Sequence, residues 1–225
     1  SRGLGDVYKR QTLGYVYDAE QFGAYGMPVI EDVSHALGGT WGDRPAGGFG
    51  HIVISALEEE NLITAGGGGA VLFRKRPEVT QCRRMMDAEL DYVPLPDLNI
   101  AVAIAQLKEL PSFLETRREI AQVYEEALLR SRHGSLTQPE GGKQVPFSFP
   151  VVVESSMKDV RQYAKKKGVM TQPAFAGSII TMDDGIYNSF PNAKSLLLRC
   201  VLFPLYPMLG KSNVQAVAKV LAALP

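Results

Sequence analysis

Pro28-Val-Ile-Glu-Asp32-Val-Ser-His35-Ala-Leu-Gly38, with Ser55-Ala-Leu-Glu-Glu-Glu60-Asn61-Leu62 and Gly66-Gly-Gly-Gly69 after it, is the stretch whose reading decides the fold. Val29-Ile30 is a short apolar run between the turn residues Gly26-Met-Pro28 and the acidic pair Glu31-Asp32. Such a run reads as a buried parallel strand with Asp32 at its C-terminal end. His51-Ile-Val-Ile-Ser55 gives a second strand and Gly69-Ala-Val-Leu-Phe73 a third. The glycines before the third strand have neither the lysine of a phosphate loop nor the strand-to-helix setting of a dinucleotide fingerprint. They read instead as a turn that needs positive φ and close backbone approach.

Outward from this centre, strands and helices alternate. Glu20 to Tyr25 reads as the end of a helix stopped near Gly26, and Pro77 to Met86 as a short helix. Asp97 to Leu110 is helical, and Pro111 to Arg130 reads as a second helix with Phe113, Leu114, Ile120 and Val123 on its buried face. Gly134 to Lys143, with Pro139 and Gly141-Gly142, reads as a linker. Beyond it come a strand within Pro146–Val153, a helix over Met157–Lys167 capped by Ser155 or Ser156, a strand at Cys200–Phe203 and a helix from Asn213 to Leu224 with Ser212 as N-cap. The alternation predicts an α/β fold with a largely parallel sheet, and a smaller α/β subdomain from about residue 134.

The chain has 225 residues, 45% of them hydrophobic, enough to bury a sizeable core. Lysine and arginine number 24 against 24 aspartates and glutamates, a balance that argues against a dedicated nucleic-acid binder and gives no attraction to anionic membranes. Cys82 and Cys200 are too few and too far apart for a disulfide framework or a zinc site, so no metal is expected and a cytoplasmic, reducing setting is the default. No apolar run approaches the ~18 residues of a membrane span.

The leader is a separate matter. Asp6-Val-Tyr-Lys-Arg-Gln11 is the translation of GATGTGTATAAGAGACAG, a transposon-end adapter used in sequencing libraries. Ser1 to Gln11 is therefore read as a foreign leader and set aside from the fold. The remainder divides into a large-domain remnant over 12–133 and a C-terminal subdomain over 134–225, with the natural protein expected to continue upstream.

Taken together, these segments resemble the DegT/DnrJ/StrS family of sugar aminotransferases, which depend on pyridoxal phosphate and have the aspartate-aminotransferase fold (fold type I). The resemblance runs from about Val16 to the C-terminus. It rests on Ile30-Glu-Asp32-Val-Ser-His35-Ala-Leu-Gly38, on Ser55 to Leu62, on Gly66 to Ala70, on Ala105-Gln-Leu107 followed by Arg117-Arg-Glu-Ile-Ala121, and on Pro204-Leu-Tyr-Pro207. Each piece is weak alone, but five in the right order and spacing are specific. By resemblance, Asp32 matches the aspartate that pairs with the pyridine nitrogen, His35 the residue beside the ring and its hydroxyl, and Ser55 a serine that contacts the phosphate. The implied cofactor is pyridoxal or pyridoxamine phosphate, the implied substrate a nucleotide sugar, and the implied assembly a homodimer with sites built across its interface.

One departure dominates. Glu60 stands where the resemblance places the Schiff-base lysine, and no lysine occurs between Lys9 and Lys75. A carboxylate cannot form an imine with an aldehyde, nor supply the amine that moves a proton in transamination. Glu58-Glu59-Glu60 reads as a solvated acidic turn, because three buried carboxylates would be costly. Around Asp91-Tyr92-Val93-Pro94 the family's Asn and Arg are gone, and Pro173 to Thr181 holds no histidine. The expectation is a catalytically impaired aminotransferase homologue. The alternatives are a lysine-independent sugar dehydratase using pyridoxamine phosphate, with Glu60 as a general base made more basic by burial, and a non-catalytic dimerising or regulatory scaffold.

Overall fold

A computed structural model describes residues 7–18, 20–89, 93–181 and 188–225. The chain divides into two compact units, one of residues 1–114 and 138–147, the other of residues 115–137 and 148–225.

The first unit is built on a four-stranded sheet in the order β1 (Val7–Arg10), β2 (Val29–Asp32), β5 (Ile52–Ala56), β6 (Gly69–Phe73). The first three strands are parallel and β6 runs antiparallel to β5. β2 alternates little in burial, as a strand covered on both faces should. A smaller antiparallel sheet joins β3 (Thr40–Trp41) to β4 (Arg44–Pro45) and β8 (Gly142–Lys143). Leu57, Leu62, Ile63, Ala65, Ala103, Leu110, Leu114 and Val145 form its main apolar cluster. Helix α1 (Arg76–Ala88) buries none of its described residues.

The second unit centres on an antiparallel sheet in the order β10 (Gln172–Pro173), β11 (Cys200–Phe203), β9 (Phe149–Val152), β7 (Gly134–Ser135). Helices α3 (Met157–Lys166), α4 (Pro191–Arg199) and α5 (Lys211–Ala222) belong to it. Its core runs from Ile120 and Tyr124 through Val151, Val160 and Val201 to Leu221. The Tyr124 hydroxyl donates to the Pro204 carbonyl at 3.1 Å, and its ring meets Phe149 edge-on with centroids 5.2 Å apart.

The α/β class expected from the sequence holds, and the differences have identifiable causes. The leader does not stay outside the fold: Val7–Arg10 pair in register with Val29–Asp32, and Gln11 is fully buried with its side-chain amide on Glu31 at 2.6 Å. The two helices expected on either side of Pro111 are one, α2 (Asp97–Leu128). Proline lacks one helical N–H, a loss of ~3 kcal/mol in an isolated helix, and burial of Leu110 and Leu114 beside it opposes that loss. The two compact units divide within α2. α2 gives its residues to Leu114 to the first unit and those from Glu115 to the second, and 138–147 returns to the first. There the Gln138 side chain accepts from Val16 N and donates to Val16 O. Glu20–Tyr25 is a 3-10 helix, and α5 begins at Lys211 from Gly210 rather than from Ser212. Ser156 caps α3 as expected, accepting from Asp159 N. The parallel arrangement is confined to the first unit. No helix among the described residues is long and apolar enough to cross a membrane.

Candidate functional site

Asp32 and Ser55 come together at the C-terminal ends of neighbouring parallel strands, because β2 and β5 pair with Asp32 opposite Ile54. Strand ends of this kind are where open α/β sheets bind ligands. Both residues are buried. Asp32 Oδ1 accepts from Ser34 N at 3.0 Å and from Ser34 Oγ at 2.6 Å. Ser34 Oγ in turn accepts from Ala56 N at 2.8 Å. The carboxylate is thus fixed by a tight Asp-x-Ser turn and tied to the next strand. Ser34 was missed in the sequence, although the Asp-x-Ser spacing that makes this turn was there to read.

Its neighbour Glu31 points to another task. It is fully buried, and its two oxygens accept from Gly47 N, Phe49 N and Gly50 N at 2.8, 3.2 and 2.9 Å as well as from Gln11. Three backbone amides satisfy the buried charge and fasten the 47–50 loop to the strand.

His35 follows one turn later. Its ring stacks on Phe147 with centroids 3.9 Å apart and planes 15° apart. Leu13 N donates to Nδ1 at 3.2 Å, and Arg10 Nη2 lies 3.1 Å from Nε2. Burial, chiefly, and then the Arg10 charge hold its pKa down at about 4, with Asp32 opposing them. The imidazole is therefore neutral at pH 7. Gly14 makes this packing possible: its φ is +85°, and a Cβ there would stand 1.9 Å from the Val145 carbonyl oxygen.

The turn after β5 carries Glu60. Asn61 N donates to Glu58 O at 3.1 Å, and the Asn61 side-chain amide bridges Ser34 O and Glu58 N at 3.3 and 3.2 Å. Leu62 is buried. These contacts lock the turn beside the Asp32 segment, yet Glu58, Glu59 and Glu60 are all exposed. Gly66, Gly67 and Gly68 follow with φ of +75°, +133° and +81°. The glycine turn folds back on Leu57, which donates its N–H to Gly68 O and accepts from Gly67 N at Leu57 O. Helix α2 pins the same turn, with Gln106 accepting from Thr64 N and Asn99 donating to Ala65 O. Asp91-Tyr92, expected to mark a lost phosphate contact, lie outside the described residues.

The group implied by the resemblance asks for an amine, a carboxylate for its ring nitrogen and donors for its phosphate. Asp32 and Ser55 are in place at the strand ends. The amine is not: the position holds an exposed carboxylate, and the chain has no lysine from residue 10 to residue 74. Arg10, moreover, lies across the two groups meant to face the ring, with Nε 3.8 Å from Asp32 Oδ2. The residues present do not fit a covalently held pyridoxal phosphate.

A model of the DegT/DnrJ/EryC1/StrS aminotransferase family matches residues 20–222. The chain is 30% identical over 125 residues to UDP-4-amino-4,6-dideoxy-N-acetyl-beta-L-altrosamine transaminase of Campylobacter jejuni, covering 49% of this chain and 33% of that protein. It is 24% identical over 205 residues to GDP-perosamine synthase of Escherichia coli O157:H7, covering 83% of this chain and 55% of that one. Among solved structures it is similar to the aminotransferase TlmJ from Streptoalloteichus hindustanus, with a TM-score of 0.82 and 21% identity over 96% of this chain and 64% of that chain. The matched stretch thus spans between a third and somewhat over half of these two curated relatives. The likeness to solved structures bears out the transferase-like α/β fold expected from the sequence.

Proposed function

Because the chain belongs to the DegT/DnrJ/EryC1/StrS aminotransferase family, we propose that it is a fold-retaining homologue of the sugar aminotransferases in which lysine-dependent transamination is lost. One observation carries the reading. Between Ser55 and Asn61-Leu62, whose register is fixed by the strand and by the Asn61 bridge, the position expected to hold the amine is an exposed glutamate. A carboxylate at that place can neither hold an aldehyde cofactor nor shuttle a proton as an amine does. Asp32, His35 and Ser55 are read as former cofactor contacts that remain in the fold. Nucleotide sugars are the substrate class of the proposed parent activity, and the cytoplasm its setting.

A non-catalytic, dimerising role is the companion proposal. Val71 and Leu72 on edge strand β6, and Leu98, Ile104 and Leu107 on α2, are exposed apolar side chains within the first unit. Exposed apolar side chains on an edge strand and on a helix invite a protein partner. A second copy of the chain is the occupant proposed here.

The test is direct. Pyridoxal phosphate is added to the protein, the visible spectrum is recorded, and the mixture is reduced with borohydride and digested for mass spectrometry. The expected result is no stable visible adduct and no modified lysine within the first unit. A lysine stoichiometrically fixed by reduction, together with amino transfer to a nucleotide keto-sugar, would overturn the reading.

A further inference from the structure

We propose that helix α3 carries a phosphoryl-anion site, built by Lys158, Arg161 and Lys165 and suited to a small molecule with two linked phosphoryl groups. The site lies wholly in the second unit, so it neither supports nor needs the Glu60 reading. Positions 158, 161 and 165 are three and four residues apart and share one face of α3, while Val160 and Ala164 anchor the helix in the core. Like charges at that spacing repel. Lys158 stands in the first turn besides, where the helix dipole is already positive. Among the described residues no carboxylate pairs with any of the three. Glu154, just before the helix, is engaged by Arg199. The sequence thus gathers cations on a fixed backbone that an anion would relieve.

The three cations line an open groove of about 340 Å³, closed on its other side by Met170 and Thr171. That volume is of the order of a small-ligand site. Arg161 is held there by one long contact, its Nη2 donating to the Thr171 carbonyl oxygen at 3.4 Å. Its Nε is buried without a hydrogen-bond partner. A buried guanidinium N–H left unpaired is costly, and a phosphoryl group matches the planar fork at two points. Lys158 and Lys165 stand ~10 Å apart along the helix axis with Arg161 between them. A single carboxylate or sulfate meets only part of that row, whereas linked phosphoryl groups spread their charge along it. Lys158 and Arg161 also border a neighbouring groove of about 480 Å³ walled by Leu197 and Leu198. An apolar group attached to the phosphates has its place there.

Inorganic pyrophosphate is titrated into the full chain by calorimetry at low ionic strength, with sulfate as the single-anion reference. The unaltered protein is compared with Arg161→Gln, Lys158→Gln and Lys166→Gln, each checked for folding by circular dichroism. Lys158 is exposed, so its variant keeps the test open should Arg161→Gln fail to fold. Lys166→Gln removes the same charge from the same helix but not from the groove. Pyrophosphate is expected to bind one per chain and more tightly than sulfate. Its affinity should fall roughly five- to tenfold in Arg161→Gln and Lys158→Gln, and by less than about twofold in Lys166→Gln. No such binding, or an equal loss in all three variants, overturns the site. Sulfate binding as tightly as pyrophosphate overturns the linked-phosphoryl assignment. Sedimentation with phosphatidylcholine vesicles containing phosphatidylglycerol separates a lipid headgroup from a free phosphate. The protein is expected to stay in solution, and co-sedimentation would overturn the assignment to a free small molecule.

Discussion

Lowering the pH tests the buried, neutral state of His35 without any ligand. The usual histidine pKa of 6.5 falls to about 4 here, first through burial and then through Arg10. Above 6.5 both native and unfolded chains leave the ring neutral, and stability does not depend on this group. As the pH falls below 6.5 the unfolded chain takes up a proton that the native ring refuses until about pH 4, so stability is lost across that window. Between about pH 6.5 and about pH 5 the ceiling is ~2 kcal/mol, at ~1.36 kcal/mol per pH unit. Solvent reaches part of the ring, so ~1 kcal/mol is the working figure. Trp41 is the only tryptophan of the chain and lies in the first unit with His35. Urea unfolding followed by its fluorescence therefore reports on the right part of the molecule. The measurement compares the unaltered protein with His35→Gln at about pH 7.5 and about pH 5. His133, also lowered by burial, is unaltered in His35→Gln, so its contribution cancels. The unaltered protein is expected to lose ~1 kcal/mol more than His35→Gln. An equal loss in the two proteins, or a larger one in the variant, would refute the placement of His35.

Three further outcomes follow from the geometry. Ser34→Ala removes a donor to Asp32 and leaves Ala56 N without its acceptor, so the first unit should lose ~1–3 kcal/mol in the same Trp41-monitored unfolding. Tyr124→Phe deletes the hydroxyl that donates to Pro204 O inside the second unit's core. It should cost ~1 kcal/mol by circular dichroism in urea, and a neutral result would mean that the hydroxyl is satisfied elsewhere. Glu60→Lys places an amine at position 60, and borohydride reduction after addition of pyridoxal phosphate should fix an adduct there that the unaltered protein lacks. No adduct at position 60 would contradict the proposed register of the lost lysine.

The parts legible in the sequence were those that local chemistry dictates. The run ending at Asp32, the apolar stretch His51 to Ser55 and the glycines at 66 to 68 announce strand, strand and turn without reference to the rest of the chain. The register of Ser55 and Asn61-Leu62 then located Glu60. What could not be read there depends on partners far away in the chain. Pro111 looks like a helix boundary until burial of Leu110 and Leu114 holds the helix through it. The return of 138–147 to the first unit depends on Gln138 meeting Val16, a pairing that no local pattern encodes. Arg10 and Gln11 were set aside on the origin of their codons. The sheet accepts them on a different criterion, because an unpaired edge of β2 takes any extended segment whose backbone can complete the ladder.

Retention of the Asp32 segment does not by itself argue for retained chemistry. Asp32 is bound to Ser34, Ser34 to Ala56, and Asn61 to Ser34 O, so one chain of hydrogen bonds ties β2 to β5 and to the Glu60 turn. Glu31 fastens the 47–50 loop through three amides. Breaking such buried contacts leaves polar groups unsatisfied, at ~1–3 kcal/mol each, a substantial part of a domain's ~5–15 kcal/mol of net stability. These residues therefore stabilise the fold whether or not a cofactor enters. Glu60 is exposed on a turn whose backbone is held by its neighbours, so its side chain carries little of the fold's stability. A change at position 60 is consistent with an intact fold in a way that a change at Asp32 or Ser34 is not.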